Sequence, residues 1–232
     1  MKDHLIRDEL EECPYLPGET ARMPLYALSG ASDPASTDER LSEGQRRAGE
    51  FVYKTQCPNC QACIPVRIPV KDFTQSKSQK RILVRGDREL RCEIGPLQVD
   101  DARLDLFNKH RVQRGLSRDR ERVSWEDYHW GFVRSCFESF EMAYYLGDDL
   151  VGIAINDLGT ESLSAVYTFY DPDLKGQSLG TYSVLKQVDF CRAVGHRYLY
   201  LGFYIADCQA MVYKDRFRPQ ERLIDQRWER FD

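Results

Sequence analysis

The feature that most constrains the fold is a run of predicted strands that leads into a glycine loop, a helix and another strand. "EMAYYLG" and "LVGIAIND" are predicted strands on either side of Asp148-Asp149, which predicts a hairpin turn. "SLSAVYTFYD" predicts a third strand. "KGQSLGTYSVLKQVDFCRAVGH" predicts a helix capped by Ser178 and ended by Gly195, and "YLYLGFY" predicts the next strand. Strand, helix and strand in this order form a βαβ unit with parallel strands and a right-handed crossover.

Two further helices are predicted before this run. "DDARLDLFNKHRVQRG" is compatible with a helix that ends at Gly115. In "SWEDYHWGFVRSCF" Ser124 is the predicted N-cap, with Asp127 three residues on as in a capping box. One face of this helix collects residues at i, i+3, i+4, i+7, i+8 and i+11, namely Trp125, Tyr128, His129, Phe132, Val133 and Cys136. A histidine on such a face is predicted to be packed or partly exposed and not catalytic.

This order of elements resembles the N-acetyltransferase-like (GNAT) fold. In that fold a Gln/Arg-x-x-Gly-x-Gly/Ala loop binds the pyrophosphate of acyl-CoA at a helix N-terminus. Here the loop has Gln177 and Gly180, but Tyr182 fills a position that should be small. The prediction is an α+β protein, with a GNAT-like acyltransferase domain at residues 96–232 and a small Cys-containing N-terminal domain at residues 1–95, and with an altered CoA loop.

The N-terminal half is dominated by one cysteine-rich segment, "YKTQCPNCQACIPVRI". Cys57, Cys60 and Cys63 have the spacing that zinc and iron–sulfur sites use, but such sites usually need four ligands. The alternative is a group of reduced cysteines that pack a loop. "FVYK" and "VRIPV" are predicted short strands around this segment, and the polar stretch from Leu28 to Glu50 is predicted to be a loop or mobile segment.

The apolar residues are distributed as in a protein without a membrane span. No run of eighteen or more apolar residues occurs, and the start "MKDHLIRDELEECPYLP" lacks the apolar region of a signal peptide. We therefore predict a cytoplasmic protein that does not bind membranes, with mostly reduced cysteines.

Charge is unevenly distributed along the chain. The net charge is −4, and residues 1–50 carry six Lys/Arg against eleven Asp/Glu. The stretch from Lys71 to Arg91 instead carries seven basic residues against three acidic ones. A basic stretch in an acidic protein indicates a polyanionic partner, although a solvated charged face is the simpler alternative.

Several motifs in order resemble the aminoacyl-tRNA–protein transferase family over nearly the whole chain. They are "CPYLP", "CPNCQACIPVRI", "SKSQKR", "SAVYTFYDPD", "SLGTYSVLKQVDFC" and "LGFYIADCQAMVYKDRFRP". The bacterial, leucine-transferring group of this family is the most similar. The resemblance implies an enzyme that moves leucine from Leu-tRNA to the α-amine of proteins beginning with Asp or Glu, which marks them for degradation by the N-degron pathway.

Three alternatives remain at this point. One is an arginine-transferring member of the same family, and another is a CoA-dependent GNAT N-acyltransferase. The third is a non-catalytic cysteine-site module that binds RNA or protein. Transfer from an aminoacyl ester requires no cofactor, while the resemblance brings Cys13 close to the other three cysteines as a fourth ligand for a structural zinc ion or iron–sulfur cluster.

The chemistry requires orientation of an amine, removal of a proton and stabilisation of an oxyanion. Asp157 is predicted to hold the attacking amine or take its proton, or else to be a turn aspartate, and Asp207 is a second acid candidate. The other candidates for the aminoacyl pocket and the reaction centre are Tyr167, Tyr170, Tyr213 and Lys214. For at least one of the first two tyrosines core packing is the simpler role, and Lys214 is expected to neutralise the tRNA end, stabilise the oxyanion or remain solvated.

Two sets of cations are predicted to bind the substrates. Arg67 and Arg81 are the candidates for the carboxylate of the acceptor, because a guanidinium can bind a carboxylate through two hydrogen bonds. The candidates for the donor tRNA near its 3′ end are Lys77, Lys80 and Arg81, with hydrogen bonds added by Ser76, Ser78 and Gln79.

Overall fold

A computed structural model describes residues 3–29, 32–116 and 121–232. Its strands, in chain order, are β1 His4–Arg7, β2 Leu10–Glu12, β3 Thr20–Arg22, β4 Leu25–Ala27, β5 Arg46–Ala48, β6 Phe51–Tyr53, β7 Ile64–Pro69, β8 Arg91–Pro96, β9 Ser139–Leu146, β10 Asp149–Leu158, β11 Ser162–Tyr170, β12 Tyr198–Tyr204, β13 Gln220–Ile224 and β14 Arg227–Phe231. Its α-helices are α1 Pro34–Ser42, α2 Lys77–Glu89, α3 Asp101–Gln113, α4 Trp125–Tyr128 and α5 Leu179–Val194. A π-helical turn covers His129–Val133, and short 3-10 helices cover Lys175–Gln177 and Val212–Arg216.

One large mixed sheet organises the molecule. Its eight strands lie in the order β14-β13-β7-β12-β11-β10-β9-β8. Strands β11 and β12 pair in parallel and are joined by α5, which confirms the predicted βαβ unit. The other pairs described in this sheet are antiparallel. The chain is therefore a mixed α/β protein.

The large sheet takes strands from both ends of the chain. Strand β7 follows the cysteine segment, yet it lies between β12 and β13 and pairs with both. Strand β8 forms the opposite edge, next to β9. Two smaller sheets, β1-β4-β6-β5 and β2-β3, are built from the first 53 residues. The division into domains at residue 95 stays a prediction.

The prediction of a loop from Leu28 to Glu50 is wrong for much of that stretch. Helix α1 begins after Asp33, whose side chain accepts a hydrogen bond from the backbone N–H of Ser36 at 2.7 Å. Pro34 starts the helix, a position where its missing N–H carries no cost. Leu41 is buried, and the stretch ends in β5. The stretch was predicted to be a loop because its composition is polar, but it contains a capped helix that buries only a narrow face.

The predicted helix over residues 125–136 is only partly confirmed. Ser124 and Asp127 form the expected capping box. The helix then widens into the π-turn, where the N–H of Arg134 donates to the carbonyl of His129 at 2.8 Å. Arg134 has an extended backbone, so Cys136 lies outside the helix.

Helices α2 and α5 pack closely against one another on the large sheet. A Cβ atom added to Gly86 of α2 would lie 2.3 Å from two ring carbons of Tyr182 on α5. The hydroxyl of Tyr182 donates to Asp87 at 3.0 Å, and Lys186 donates to the same carboxylate at 3.0 Å. Glycine at position 86 therefore allows the two helices to approach. Across the described residues, no helix has both the length and the apolar character needed to cross a membrane.

The parallel pairing of β11 with β12 is short. It covers Ser162–Ser164 and Tyr198–Tyr200, and it stops there although both strands continue. Each strand carries a bulge just beyond, at Val166 relative to β10 and at Leu201 relative to β7. Bulges bend a strand and locally disrupt its pairing. We call the unpaired region beyond Ser164 and Tyr200 the β11–β12 split.

Candidate active site

Arg46, on β5, lies within the β11–β12 split. Its Nη1 donates to Ser164 Oγ at 3.3 Å, and its Nη2 donates to the carbonyl of Ala165 on β11 at 3.2 Å. On the other side of the split, a Cβ atom added to Gly202 of β12 would lie 3.2 Å from the same Nη2. Gly202 has φ +83°, which favours glycine. The small N-terminal sheet thus places a guanidinium between the two parallel strands.

Lys214 approaches the same point from the C-terminal side. Its Nζ donates to the carbonyl of Phe203 at 2.5 Å and lies 3.7 Å from the position of a Cβ atom on Gly202. The side chain is 5% exposed. Burial lowers the pKa of Lys214 to about 7, and the charge of Arg46 lowers it further in the same direction. A substantial fraction of Lys214 is therefore neutral near pH 7.

Three of the predicted tyrosines lie together near the split. The pKa of Tyr213 is raised to about 12, first by loss of water around its hydroxyl and then by Tyr170 and Tyr167, while Arg46 opposes the shift. Tyr213 is nevertheless 39% exposed, so its ring remains accessible. The ring centroid of Tyr167 lies 5.4 Å from that of Phe132. The structure therefore brings together four predicted residues: Tyr167, Tyr170, Tyr213 and Lys214.

The charged side chains that act on the residues of the split are positive. Arg46 acts on the pKa of Lys214 and of Tyr213, and Arg111 acts on that of Tyr167. Within residues 3–29, 32–116 and 121–232, no Asp or Glu carboxylate contributes to the pKa shifts of these three groups. The split is thus a cationic site with aromatic walls.

Asp157 lies in a buried ion pair. Arg47 Nε donates to its two carboxylate oxygens at 2.9 and 3.0 Å, and Ser139 Oγ donates to one of them at 2.7 Å. Asp157 is 1% exposed. Its predicted role in catalysis stays a prediction, because reaching a substrate would require this network to open. Asp207 is exposed after β12.

Arg67 is held on both faces by aromatic rings. Its guanidinium carbon lies 3.7 Å from the ring centroid of Tyr198 and 4.1 Å from that of Trp228. Its Nε donates to Glu221 at 2.7 Å, and its Nη1 donates to Tyr200 Oη at 3.0 Å. The role of Arg67 in acceptor binding stays a prediction. Its Nε and Nη1 groups already donate to partners within the protein.

The predicted tRNA residues lie on α2. Lys77, Lys80 and Arg81 are exposed on this helix, away from the buried Gly86. Arg85 and Arg88 extend the same basic surface, which also contains the exposed Val84. We call these residues, Lys77, Lys80, Arg81, Val84, Arg85 and Arg88, the α2 basic surface.

The polar residues predicted to assist them are used within the protein. Ser76 and Gln79 form the capping box at the start of α2. The side-chain amide of Gln79 also donates to the carbonyl of Arg216 at 3.0 Å, and Gln79 is buried. Ser76 and Ser78 are exposed, and their hydroxyls lie 3.0 Å apart. The contact of Gln79 with tRNA stays a prediction, and its side-chain amide is already bonded within the protein.

The predicted metal ligands lie near one another. Burial raises the pKa of the Cys63 thiol to about 12, and the thiols of Cys13, Cys57, Cys60 and Cys208 raise it further. Backbone N–H groups of Tyr15 and Leu16 donate to Cys13 Sγ at 3.5 and 3.4 Å, and that of Arg22 donates to Cys57 Sγ at 3.5 Å. Among the residues that the structure describes, however, no group of three or more His, Cys, Asp or Glu side chains has an arrangement that could hold a metal ion.

A bound metal therefore stays a prediction, and no step of the chemistry is assigned to one. Elemental analysis of protein purified without oxygen tests it.

Sequence reasoning missed two contributors to the site. Arg46 lies in the stretch that is predicted to be a loop. The sequence signal that could have identified it is the basic pair Arg46-Arg47, which stands between acidic stretches. Cys208 was part of a quoted motif but was not grouped with the other cysteines. Both are joined to the site by contacts between segments far apart in sequence, which local patterns do not encode.

The arrangement suits transfer of an acyl group to an amine. A neutral lysine with a pKa of about 7 can accept the proton that an attacking amine loses, and a nearby fixed cation can hold an anionic part of a substrate. The aromatic side of the split offers an apolar surface for the acyl group.

Comparison with known proteins supports this chemistry. The family described as Arginine-tRNA-protein transferase, C terminus, matches residues 102–224, and its N-terminus counterpart matches residues 11–81. A protein of Vibrio cholerae named aspartate/glutamate leucyltransferase is 36% identical over 93% of this chain and 92% of its own. One of the same name from Acinetobacter baylyi is 34% identical over 95% of this chain and 82% of its own. A solved structure, L-PGS from Bacillus licheniformis, superposes with a TM-score of 0.46 at 12% identity, over 63% of this chain and 46% of its own.

These matches define the protein as an aminoacyltransferase. More specifically, the chain belongs to the arginine-tRNA-protein transferase family.

Proposed function

We propose that this enzyme transfers leucine from Leu-tRNA to the α-amine of proteins that begin with Asp or Glu, in the cytoplasm, and so marks them for N-degron degradation. The observation that carries the proposal is the charge of the β11–β12 split, where Arg46 and Lys214 lie near the same point and, among the described residues, neither forms an ion pair with a carboxylate. An acidic acceptor fits this charge. The names of the relatives, aspartate/glutamate leucyltransferase, agree with it.

The same charge favours leucine over arginine as the donated residue. The charged groups that act on Tyr167 and Tyr213 are Arg111 and Arg46, both cations. A donated arginine would bring a third positive charge to this region without a carboxylate to pair with it, which is costly in a partly desolvated site. Leucine needs only apolar contact, such as that offered by Tyr167 and its neighbour Phe132.

Lys214 is the proposed proton acceptor. The amine nitrogen attacks the ester carbon of the aminoacyl group and forms a new C–N bond, while the carbonyl oxygen becomes an oxyanion. Neutral Lys214 takes the proton that the amine nitrogen loses. The bond between the ester carbon and the ribose oxygen then breaks, and the proton passes to that oxygen. The products are an extended protein and free tRNA.

We propose that the C-terminal half has a GNAT-like arrangement, which would agree with these roles. The hairpin of β9 and β10, the split between β11 and β12, and the crossover helix α5 occur in the expected order. The N-terminal residues add Arg46 to the split through β5. We propose that the N-terminal residues recognise the acceptor in this way.

An acyl-CoA donor is disfavoured by the loop before α5. Arg85 of α2 donates to the carbonyl of Gly176, and Gln177 donates to Glu89 at 2.8 Å. Gly180 makes room for the ring of Tyr170, since a Cβ atom there would lie 3.2 Å from Tyr170 Cε1. Tyr182 packs on α2. These residues are engaged within the protein and are not left open for a pyrophosphate.

Mass spectrometry of a reporter peptide tests the proposed function. The protein is incubated with a mixed pool of aminoacyl-tRNAs and a peptide beginning with Asp, with an otherwise identical Asn peptide as control. We expect the Asp peptide to gain one leucine residue and the Asn peptide to react far more slowly. Addition of arginine would contradict the donor, and modification that requires acyl-CoA instead of tRNA would contradict the reaction class.

A further inference from the structure

Arg46 differs from Arg47 and Arg67 in having no anionic partner among the described residues. Its neighbour Arg47 pairs with Asp157 at 2.9 Å, and Arg67 pairs with Glu221 at 2.7 Å. Arg46 forms no ion pair with any described residue, and its hydrogen bonds go to a neutral hydroxyl and a carbonyl on β11. These two bonds fix the guanidinium in the split and leave its charge unmatched.

An unmatched cation in a partly buried position is costly for the folded protein. Removal of charge from water must be offset by an opposite charge or by strong hydrogen bonds, and neutral acceptors offset only part of it. Arg46 is half-buried, and the nearest titratable cation, Lys214, repels it. A binding site for an anion explains both the retained charge and the absence of a paired carboxylate among the described residues.

We propose that Arg46 binds the side-chain carboxylate of the N-terminal Asp or Glu of the acceptor protein. This inference rests on the proposed function and assigns its acidic specificity to one residue. Arg46 Nη2 and Lys214 Nζ lie 3.2 and 3.7 Å from the same point, the position of a Cβ atom on Gly202. Both groups therefore lie next to Gly202, in the same part of the split.

This spacing matches the shape of an acidic N-terminus. In an N-terminal aspartate the α-amine and the side-chain carboxylate are attached to adjacent carbon atoms, so their receptors must also be neighbours. With Lys214 beside the amine, Arg46 faces the carboxylate. Glutamate adds one methylene group, which its own flexible side chain can accommodate. Asn and Gln lack the charge that a guanidinium selects.

Arg67, the alternative candidate, is less suited to this role. Its two rings and the carboxylate of Glu221 enclose it, so an incoming carboxylate would have to displace an existing ion pair. Arg46 needs no such displacement.

Kinetics with Asp, Asn, Glu and Gln reporter peptides test the assignment. For Arg46→Gln we expect the preference for Asp over Asn, measured as the ratio of kcat/KM values, to fall by about 10–100-fold, since hydrogen bonds to charged groups contribute ~1.5–3 kcal/mol. The KM for Leu-tRNA should stay the same. Arg46→Lys should keep part of the preference. Arg91→Gln, on the opposite edge strand β8, is the matched control and should keep all of it.

A second measurement does not depend on variants that fold. The wild-type protein is treated with phenylglyoxal, which modifies arginine, and the modified residues are located by mass spectrometry. A peptide beginning with Asp should protect Arg46, and the Asn peptide should not. Equal labelling with and without the Asp peptide would overturn the proposal.

The outcomes separate this inference from the proposed function. If the wild-type enzyme transfers leucine to Asp peptides but Arg46→Gln keeps the full preference for Asp over Asn, the assignment of Arg46 is wrong and the function stands. Loss of the preference in Arg67→Gln, with its retention in Arg46→Gln, would move the carboxylate site to Arg67. No transfer by the wild-type enzyme to any acidic peptide would instead contradict the function itself.

Discussion

Lys214 and Arg47 are both buried cations, and they differ in what surrounds them. Arg47 faces the carboxylate of Asp157, which neutralises it. Lys214 has no carboxylate partner among the described residues, and burial first and the charge of Arg46 second lower its pKa, so its charged form is disfavoured. One site keeps its charge and supports the fold, while the other can lose its proton at physiological pH and is therefore suited to proton transfer.

The first prediction is that kcat rises with pH through about 7, because protonated Lys214 cannot accept a proton and neutral Lys214 can. The other titratable and charged groups near it are Arg46, Cys63, Cys208 and Tyr213. Lys214→Met should lower kcat by about 10²–10⁴-fold. Its remaining activity should follow only the acceptor amine, with a pKa of about 7.7–8.0.

The measurement is kcat at saturating acceptor across about pH 5.5–9, a range that covers the ionisation of both Lys214 and the acceptor amine. Circular dichroism confirms that the variant is folded. A wild-type profile without an ionisation near 7, or a variant as fast as the wild type, would remove Lys214 from the reaction.

Among the helices and strands, the sequence patterns correctly predicted the features that depend on residues close together in the chain. The hairpin of β9 and β10, the capping box before α4 and the C-terminal stop of α5 at Gly195 (φ +81°) follow from residues close in sequence. The position of β7 between β12 and β13 does not, because strand pairing over this separation leaves no periodic signal. Arg46 was missed for the same reason, because its contacts with β11 join segments that are far apart in sequence. Lys214 was identified because it lies within one of the family motifs, "LGFYIADCQAMVYKDRFRP".

The second prediction concerns the contact between α2 and α5. Gly→Ala in an exposed helix usually stabilises a protein by about 0.5–1 kcal/mol. At Gly86 the added methyl would lie 2.3 Å from the ring of Tyr182, so the helices must separate or the ring must move. We expect Gly86→Ala to lower the free energy of unfolding by about 1–3 kcal/mol.

Urea unfolding measures this change. Gly131→Ala is the matched control, because a Cβ atom at Gly131 meets nothing within 4 Å. It should be neutral or slightly stabilising. A Gly86→Ala protein that unfolds at the same or a higher urea concentration than the wild type would show that α2 and α5 are not in the close contact described.

Across the whole molecule, positive charge is concentrated in two separate regions of an acidic protein. The protein is net acidic, yet the α2 basic surface and the β11–β12 split are both cationic. The first is exposed and suits the repeated phosphates of a nucleic acid, and the second is partly buried and suits a single carboxylate. Substrates with different charge density can thus be bound on different parts of one acidic protein.

The third prediction is that Lys77→Ala with Lys80→Ala weakens tRNA binding and reduces its salt dependence. Each lost phosphate contact should lower the slope of log K against log salt by about 0.7–0.9. Thermal stability should change little, because both side chains are exposed. Filter binding across a salt series measures the slope.

A control with the same change in net charge, Lys54→Ala with Lys109→Ala, lies off α2 and should leave the slope unchanged. Equal slopes for the wild type and the α2 double variant would exclude this surface as the tRNA site.

The position of β7 also has a consequence for how the protein is made. Ile64–Pro69 is synthesised long before its partners Tyr198–Tyr204 and Gln220–Ile224. During most of translation β7 is therefore an unpaired apolar strand, the kind of edge that pairs with other nascent chains. Closure of the sheet has to wait for β12 and β13, and the split that holds Arg46 near Lys214 is completed only after Lys214 has been synthesised. A prematurely terminated chain accordingly has no assembled active site.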